Sequence, residues 1–259
     1  MNHSDRHLGP ERATFRHAYE KRRYGRCVST RLADAVPVGR RGVPAREVAR
    51  GRASVVFDLG DGRVLRRCLD PGADVSGEAA VMAHARRHGV PTPRVLEASG
   101  PDLVMEHVAG PTMLSDLFAC PQRAAQHGRL LAELHHALDC VPPLSSAPDD
   151  HRLLHLDLHP GNVLLSEAGP VVIDWTNAAA GPRPLDVATT WVVLACMGAV
   201  DSAVSLDVVR ATVLNAFLEH IDQRAARSML AQAAATRLSD RATADAERQR
   251  IGRLLAAEQ

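Results

Sequence analysis

Residues 153–165 read LLHLDLHPGNVLL, so two histidines, an aspartate and an asparagine stand close together between leucine-rich runs. Apolar runs of this kind enter and leave a core, and polar groups carried there need partners or a task. Two tasks fit the residue types. His155, Asp157 and His159 could ligate a metal directly, or Asp157 and Asn162 could serve other chemistry. Histidines four apart share a face only on a helix. Pro160-Gly161 opposes a helix there, no His-Glu-x-x-His motif occurs, and no further His or Cys lies at a ligand spacing. A zinc hydrolase using these three residues is therefore the lesser reading.

The downstream sequence favours the second task. The run Val171-Val172-Ile173-Asp174-Trp175 reads as a short strand ending in an aspartate, separated from Asn162 by another short strand and a Ser-Glu-Ala-Gly-Pro turn. A hairpin here folds Asp157, Asn162 and Asp174 toward one spot. An aspartate, an asparagine five residues on and an aspartate beyond a hairpin suit kinase-type phosphoryl transfer. That reaction needs charge on the phosphoryl oxygens neutralised. Mg²⁺ can do so, and it prefers hard oxygen ligands such as Asp174 and the Asn162 carbonyl. The acceptor hydroxyl must lose a proton, which Asp157 can take.

The rest of the chain is organised around this segment. Residues 1–44 are polar and rich in Arg and His, and are predicted to be a disordered tail. Gly60-Asp61-Gly62 between two β-rich runs predicts a hairpin. In residues 75–89, Glu78, Val81, Met82 and Ala85 share one helical face, and Gly89 with Pro91 and Pro93 ends the helix. Two short strands follow around Gly100-Pro101. Beyond Gly110 the chain turns helical, with Leu130, Leu131, Leu134 and Leu138 at helical spacing. Asp186 is expected to cap the apolar helix beginning near Val187. From Leu206 onward, Ala- and Arg-rich helices are expected.

The combination HLDLHPGN, then VVIDW, resembles the aminoglycoside phosphotransferase and choline kinase superfamily, the small-molecule relatives of protein kinases. Its loop is typically His-Gly-Asp-x-His-x-x-Asn, followed by Ile-Asp-Trp or Ile-Asp-Phe. The resemblance covers roughly residues 45–200. It implies an α+β, two-lobed, protein-kinase-like fold. Residues 45–108 would form a nucleotide-binding N-lobe, a small antiparallel sheet with one helix. Residues 109–259 would form a larger, mainly helical C-lobe. By the same resemblance Asp157 is the catalytic aspartate, and Asn162 and Asp174 hold Mg²⁺. His155 and His159 support the loop, and Asp186 anchors it. Gly51-Arg52-Ala53-Ser54 corresponds to the turn over the phosphates of ATP or GTP. Glu106 and Val108 lie at the hinge, where main-chain groups pair with the base.

Several positions depart from the family pattern. Of 31 Lys and Arg residues only Lys21 is lysine, so the family's phosphate-gripping lysine is missing. Alternation in Arg63–Cys68 puts Arg66 and Arg67 on opposite faces without choosing between them. The family's Val-Leu-Lys pattern points to Arg66, with Glu78 as its helix partner. Leu156 stands where glycine is usual, and Gly-Pro-Arg-Pro at 181–184 lacks the usual aspartate.

The implied activity is ATP- or GTP-dependent transfer of a γ-phosphoryl group to a small-molecule hydroxyl. A nucleotide-binding module with little turnover is the alternative, because of the missing lysine. From residue 187 onward, acidic and basic residues are equal in number and unclustered. A polycationic aminoglycoside acceptor is therefore not expected. Net charge is +1, which argues against a nucleic-acid partner. Five scattered cysteines without a CxxC pair suggest a reduced, cytoplasmic chain. The longest apolar run, residues 187–200, is too short to span a bilayer.

Overall fold

The structure is a computed structural model and describes residues 45–196, 206–240 and 243–258. The predicted tail, residues 1–44, lies outside the described residues, as does the end of the apolar run at 197–200. The N-terminal unit contains β1 (Arg46–Arg50), β2 (Ser54–Gly60), β3 (Arg63–Cys68), α1 (Ser76–Arg87), β4 (Val95–Ser99) and β5 (Asp102–Glu106). The strands form one antiparallel sheet in the order β1-β2-β3-β5-β4. The β2–β3 hairpin forms where Gly-Asp-Gly predicts it. Gly60, Asp61 and Gly62 all take positive φ, of 75°, 53° and 70°, a conformation glycine adopts without steric cost. Strand β1 was not legible, because all five of its residues are exposed and no alternation marks it.

Helix α1 lays Ala79, Met82 and Ala85 into the core and keeps Glu78 half-buried beside them. The helical part follows: α2 (Met113–Ala119), α3 (Ala124–Leu138), α4 (Arg183–Cys196), α5 (Leu206–Leu218), α6 (Gln223–Ser239) and α7 (Asp245–Ala257). Two small β-ribbons interrupt it. One pairs β6 (His151–Leu154) with β9 (Ala179–Pro182), and the other pairs β7 (Val163–Ser166) with β8 (Gly169–Val172). A single apolar cluster runs from Met82 and Leu103 through Met113, Leu131 and Leu158 to Trp175 and Phe217. It joins the sheet unit to the helices. Trp191, Leu230 and Ile251 centre a second cluster among α4, α6 and α7. Helices α3 and α5 approach closely at Gly128, where a Cβ would meet the Val213 carbonyl oxygen at 2.3 Å.

The antiparallel sheet with one helix, followed by a helical region, is the α+β architecture expected. One local expectation is corrected. Asp186 does not cap its helix. Helix α4 begins at Arg183, and Asp186 sits inside its first turn. Its carboxylate points instead at the loop carrying Asp157, described next. Among the described residues, no helix is long and apolar enough to cross a membrane.

Candidate active site

The segment between β6 and β7 is a loop followed by a 3₁₀ turn, Pro160–Asn162, as Pro160-Gly161 requires. Its polar groups are bonded one by one. The Asp186 carboxylate accepts the backbone N–H of His155 at 3.1 Å and of Leu156 at 2.6 Å. His155 Nδ1 accepts the Asp157 N–H at 3.3 Å, so its proton lies on Nε2, which donates to the Ile173 carbonyl at 3.2 Å. His159 Nδ1 accepts the Gly161 N–H at 3.0 Å. Both histidines are buried. With both His155 nitrogens and one His159 nitrogen used this way, they brace the loop. Among the described residues, no group of three or more His, Cys, Asp or Glu is placed to hold a metal alone.

Asn162 is bonded to Asp157 and, through its backbone, to the residue before Asp174. Asn162 Nδ2 donates to the Asp157 carbonyl at 2.9 Å and to its carboxylate at 3.3 Å. The Asn162 carbonyl accepts the Ile173 N–H at 3.0 Å, which ties Asp174's strand end to the loop. The Asn162 amide thus turns its donors toward Asp157, and its side-chain oxygen is the atom that could meet a cation. With the Asp174 carboxylate this makes a hard-oxygen donor pair that suits Mg²⁺ sharing its other positions with phosphates and water. Leu156 and Asp174 both have left-handed backbones, at φ 60° and 64°. Each costs on the order of 1–3 kcal/mol unless its surroundings fix it. A glycine at 156 would avoid that cost; here the two bonds to Asp186, from the His155 and Leu156 N–H groups, hold the strained turn.

The two arginines of β3 have different partners. Arg66 is buried and pairs with Glu78 of α1. Arg67 faces the other way, gripping Asp102 through two bonds of 2.7 Å. Burial pushes the Glu78 carboxyl up, and the Arg66 guanidinium opposes that shift. Thr176 Oγ1 lies 3.3 Å from the Glu78 carboxylate and 3.0 Å from that of Asp174. A continuous chain, Arg66–Glu78–Thr176–Asp174, therefore crosses from the sheet unit to the loop. Sequence reading gave Thr176 no part in the site.

Of the remaining candidates, Ser54 closes the turn between β1 and β2, its carbonyl accepting the Gly51 N–H at 2.8 Å. Arg52 of that turn reaches Asp240, just beyond α6, at 3.2 Å. Glu106 ends β5, and its N–H donates to Arg94. Val108 follows in the connection to α2, half-buried.

A second brace was also missed. His135 of α3 donates from Nε2 to Thr190 Oγ1 at 2.9 Å, and Thr190 donates to the Leu158 carbonyl at 2.7 Å. His135 Nδ1 lies 3.6 Å from the Asp186 carboxylate. Their only sequence signal was a polar residue on an otherwise apolar helix face. Burial pushes the His135 imidazole down to about 4 and holds His155 below its usual range. A group depressed in the folded state contributes stability above its unfolded value, near 6.5, and loses it as pH falls toward 4. Burial pushes Asp186 the other way, with the opposite sign. His135→Leu isolates the His135 contribution. Wild type is expected to lose about 2 kcal/mol through His135 between pH 7 and pH 5, and the variant to show a correspondingly flatter fall. Equal pH slopes in urea titrations of the two proteins would count against this role.

Comparison with known proteins adds two family models. That of the phosphotransferase enzyme family matches residues 137–242, and that of the RIO domain matches residues 73–185. A probable bifunctional tRNA threonylcarbamoyladenosine biosynthesis protein of Methanoculleus marisnigri is 27% identical over 144 residues, covering 51% of this chain and 24% of that protein. A probable serine/threonine-protein kinase BUD32 homolog of Archaeoglobus fulgidus is 31% identical over 98 residues, 38% of this chain and 42% of that one. The chain thus spans less than half the length of either relative. Among solved structures, a thermostable mutant of aminoglycoside phosphotransferase APH(4)-Ia superposes with a TM-score of 0.61 at 15% identity, covering 82% of this chain and 94% of that one. A choline/ethanolamine kinase family protein from Mesorhizobium loti gives 0.51 at 16%, covering 94% and 92%. At these identities the likeness is one of fold.

Proposed function

Because the chain has the protein-kinase-like fold of the aminoglycoside phosphotransferases and the choline kinase family, we propose that it is an ATP-dependent phosphotransferase acting on a small-molecule hydroxyl. The observation that carries this reading is the convergence of Asp157, Asn162 and Asp174, joined to Arg66 and Glu78 through Thr176. In it, Arg66 contacts the nucleotide phosphates from β3 while Glu78 holds it in place. The Gly51–Ser54 turn covers those phosphates with backbone N–H groups. Main-chain groups near Glu106 and Val108 receive the base. Asn162 and Asp174 hold Mg²⁺, which neutralises charge on the transferring phosphoryl oxygens. Asp157 orients the acceptor hydroxyl and takes its proton. His155, His159 and Asp186 keep that carboxylate where the acceptor meets it.

A small acceptor is favoured over a protein by the segment after Asp174. It runs straight into β9, which is paired along its length with β6. That leaves no long activation loop to receive a polypeptide or a regulatory phosphate. A second reading, a nucleotide-binding module with little turnover, is favoured by the arginine in the lysine's place. A guanidinium is wider and less compact than an ammonium, and small misplacement of phosphates costs about 100-fold in rate.

One experiment separates the readings. ATP consumption is measured against a panel of hydroxyl compounds, alongside thermal shifts with ATP in the presence and absence of Mg²⁺. Mg²⁺-dependent stabilisation by ATP is expected, lost in Asp174→Ala, with turnover on part of the panel. Stabilisation without transfer to any acceptor, and no gain from Arg66→Lys, points to the module. No Mg²⁺-dependent ATP binding removes both.

A further inference from the structure

The C-terminal helices carry an arginine to the catalytic aspartate. Arg237, in the last turn of α6, has a side chain only 18% exposed, and its Nη1 stands 4.0 Å from Asp157 Oδ1. Its Nε is occupied, donating to Glu247 of α7 at 2.8 Å. Glu247 is itself buried to 14% exposure, so the guanidinium is fixed in orientation. Among the described residues neither Nη atom has a hydrogen-bond partner. A clamped guanidinium with its outer fork open beside a catalytic carboxylate is built for a planar or tetrahedral oxyanion. A counter-ion for Glu247 alone would not need to reach Asp157.

The surroundings have the matching charge. A cavity of about 530 Å³ opens between the ends of α4, α5 and α7, lined by Arg210, Arg250 and Arg253 against one carboxylate, Asp207. This volume suits a small-molecule site. Helix α7, which carries the Glu247 that clamps Arg237, also carries Arg250 and Arg253 of that cavity.

Resting on the phosphotransferase reading, we propose that the acceptor carries an anionic group, carboxylate or phosphate, within a few bonds of the hydroxyl that is phosphorylated, and that Arg237 holds it. The hydroxyl lies against Asp157 and the anion against the Arg237 fork. The Arg237 cation offsets the Asp157 charge that such an acceptor meets, so the residue selects the acceptor class as well as placing it. The chemistry of transfer is unchanged: the hydroxyl oxygen bonds to the γ-phosphorus, the bond to the β-bridging oxygen breaks, and the hydroxyl proton passes to Asp157.

The test uses sets of small hydroxyl compounds that carry a neutral, anionic or cationic group: glycerol with glycerate, glycerol 3-phosphate and ethanolamine, and glucose with gluconate, glucose 6-phosphate and glucosamine. ATP consumption and acceptor-dependent thermal shift are read on wild type, Arg237→Ala and Arg237→Gln. The glutamine keeps a donor toward Glu247, so folding is checked independently of charge, with Mg·ATP binding as the reference for both variants. Turnover and stabilisation are expected only with acidic members, and whether the acids or the phosphates respond identifies the anion. Both variants are expected to raise KM for the responding acceptor roughly 10- to 100-fold with little change in the KM for ATP. Equal use of neutral or amine members overturns the proposal, as does a KM within twofold of wild type in both variants, or no acidic member either turned over or stabilising. Stabilisation by acids that is lost in both variants, without ATP consumption on any compound, leaves the anion site standing and removes the phosphotransferase reading instead.

Discussion

Asp157→Asn is expected to lower turnover on any responding acceptor by about 100- to 10,000-fold, the range a general base contributes, while Mg·ATP binding and Tm stay near wild type. The expectation follows from how Asp157 is held. The bond Asn162 makes at 2.9 Å goes to the Asp157 backbone carbonyl, not the side chain. The Asp157 N–H is fixed by His155. An asparagine keeps these backbone bonds and an oxygen toward Asn162, and loses the negative charge that faces Arg237 and that, in the proposed reaction, takes the proton. The proton acceptor is removed, but the strained turn at Leu156 still hangs on Asp186. Single-turnover kinetics separate the two effects: kcat should fall with little change in the KM for ATP. A variant that turns over within threefold of wild type would move the proton to another acceptor or to water. One that loses nucleotide binding along with turnover would show the residue to be structural. Asp186→Asn serves as the contrast, since it strips two backbone N–H groups of a charged partner and should lower Tm as well as rate.

How far the chain could be read in advance varied with the kind of interaction involved. The β2–β3 hairpin and α1 were legible because glycine-rich turns and apolar periodicity are local signals. The loop from His155 to Asn162 was legible because its residue types are unusual between leucine runs. Strand β1 was not, since an edge strand exposed along its whole length carries no alternation. The β6–β9 ribbon was hidden for another reason: its partners lie almost thirty residues apart, and Ala179–Pro182 has no strand propensity of its own. Read from its neighbours Asp186 looked like a helix cap, and only the family resemblance pointed to the loop it holds. An aspartate before an apolar helix looks the same whether it caps that helix or reaches thirty residues back to another loop. Thr176, His135 and Arg237 share this limit. Each acts across elements, and nothing within a few residues of any of them announces the contact.

Arg66 is where sequence left a choice and structure resolved its geometry, and it carries the second large effect. Arg66→Ala should destabilise the chain by about 3–5 kcal/mol, because removing one partner of a buried ion pair strands the other. For a chain of this size that is on the order of 10 °C in Tm. The stranded group is Glu78, whose side chain is only 8% exposed and keeps just the Thr176 hydroxyl. The same variant should lose Mg·ATP stabilisation. Glu78→Gln in the Arg66→Ala background is expected to recover part of the Tm but none of the nucleotide binding, since it removes the stranded charge without restoring a cation at the phosphates. That split separates the structural role of the pair from its role toward nucleotide. Arg66→Lys keeps the charge and should restore much of the binding. Whether it raises or lowers kcat depends on reach: the ammonium is compact, but β3 and α1 are spaced here for a guanidinium that also lies against Cys68 Sγ at 3.9 Å. With the surroundings fitted to the longer side chain, lysine is expected to turn over more slowly than arginine. A lysine variant at least tenfold faster than wild type would instead identify Arg66 as the group limiting the chain, with the loop from His155 to Asn162 competent and underused.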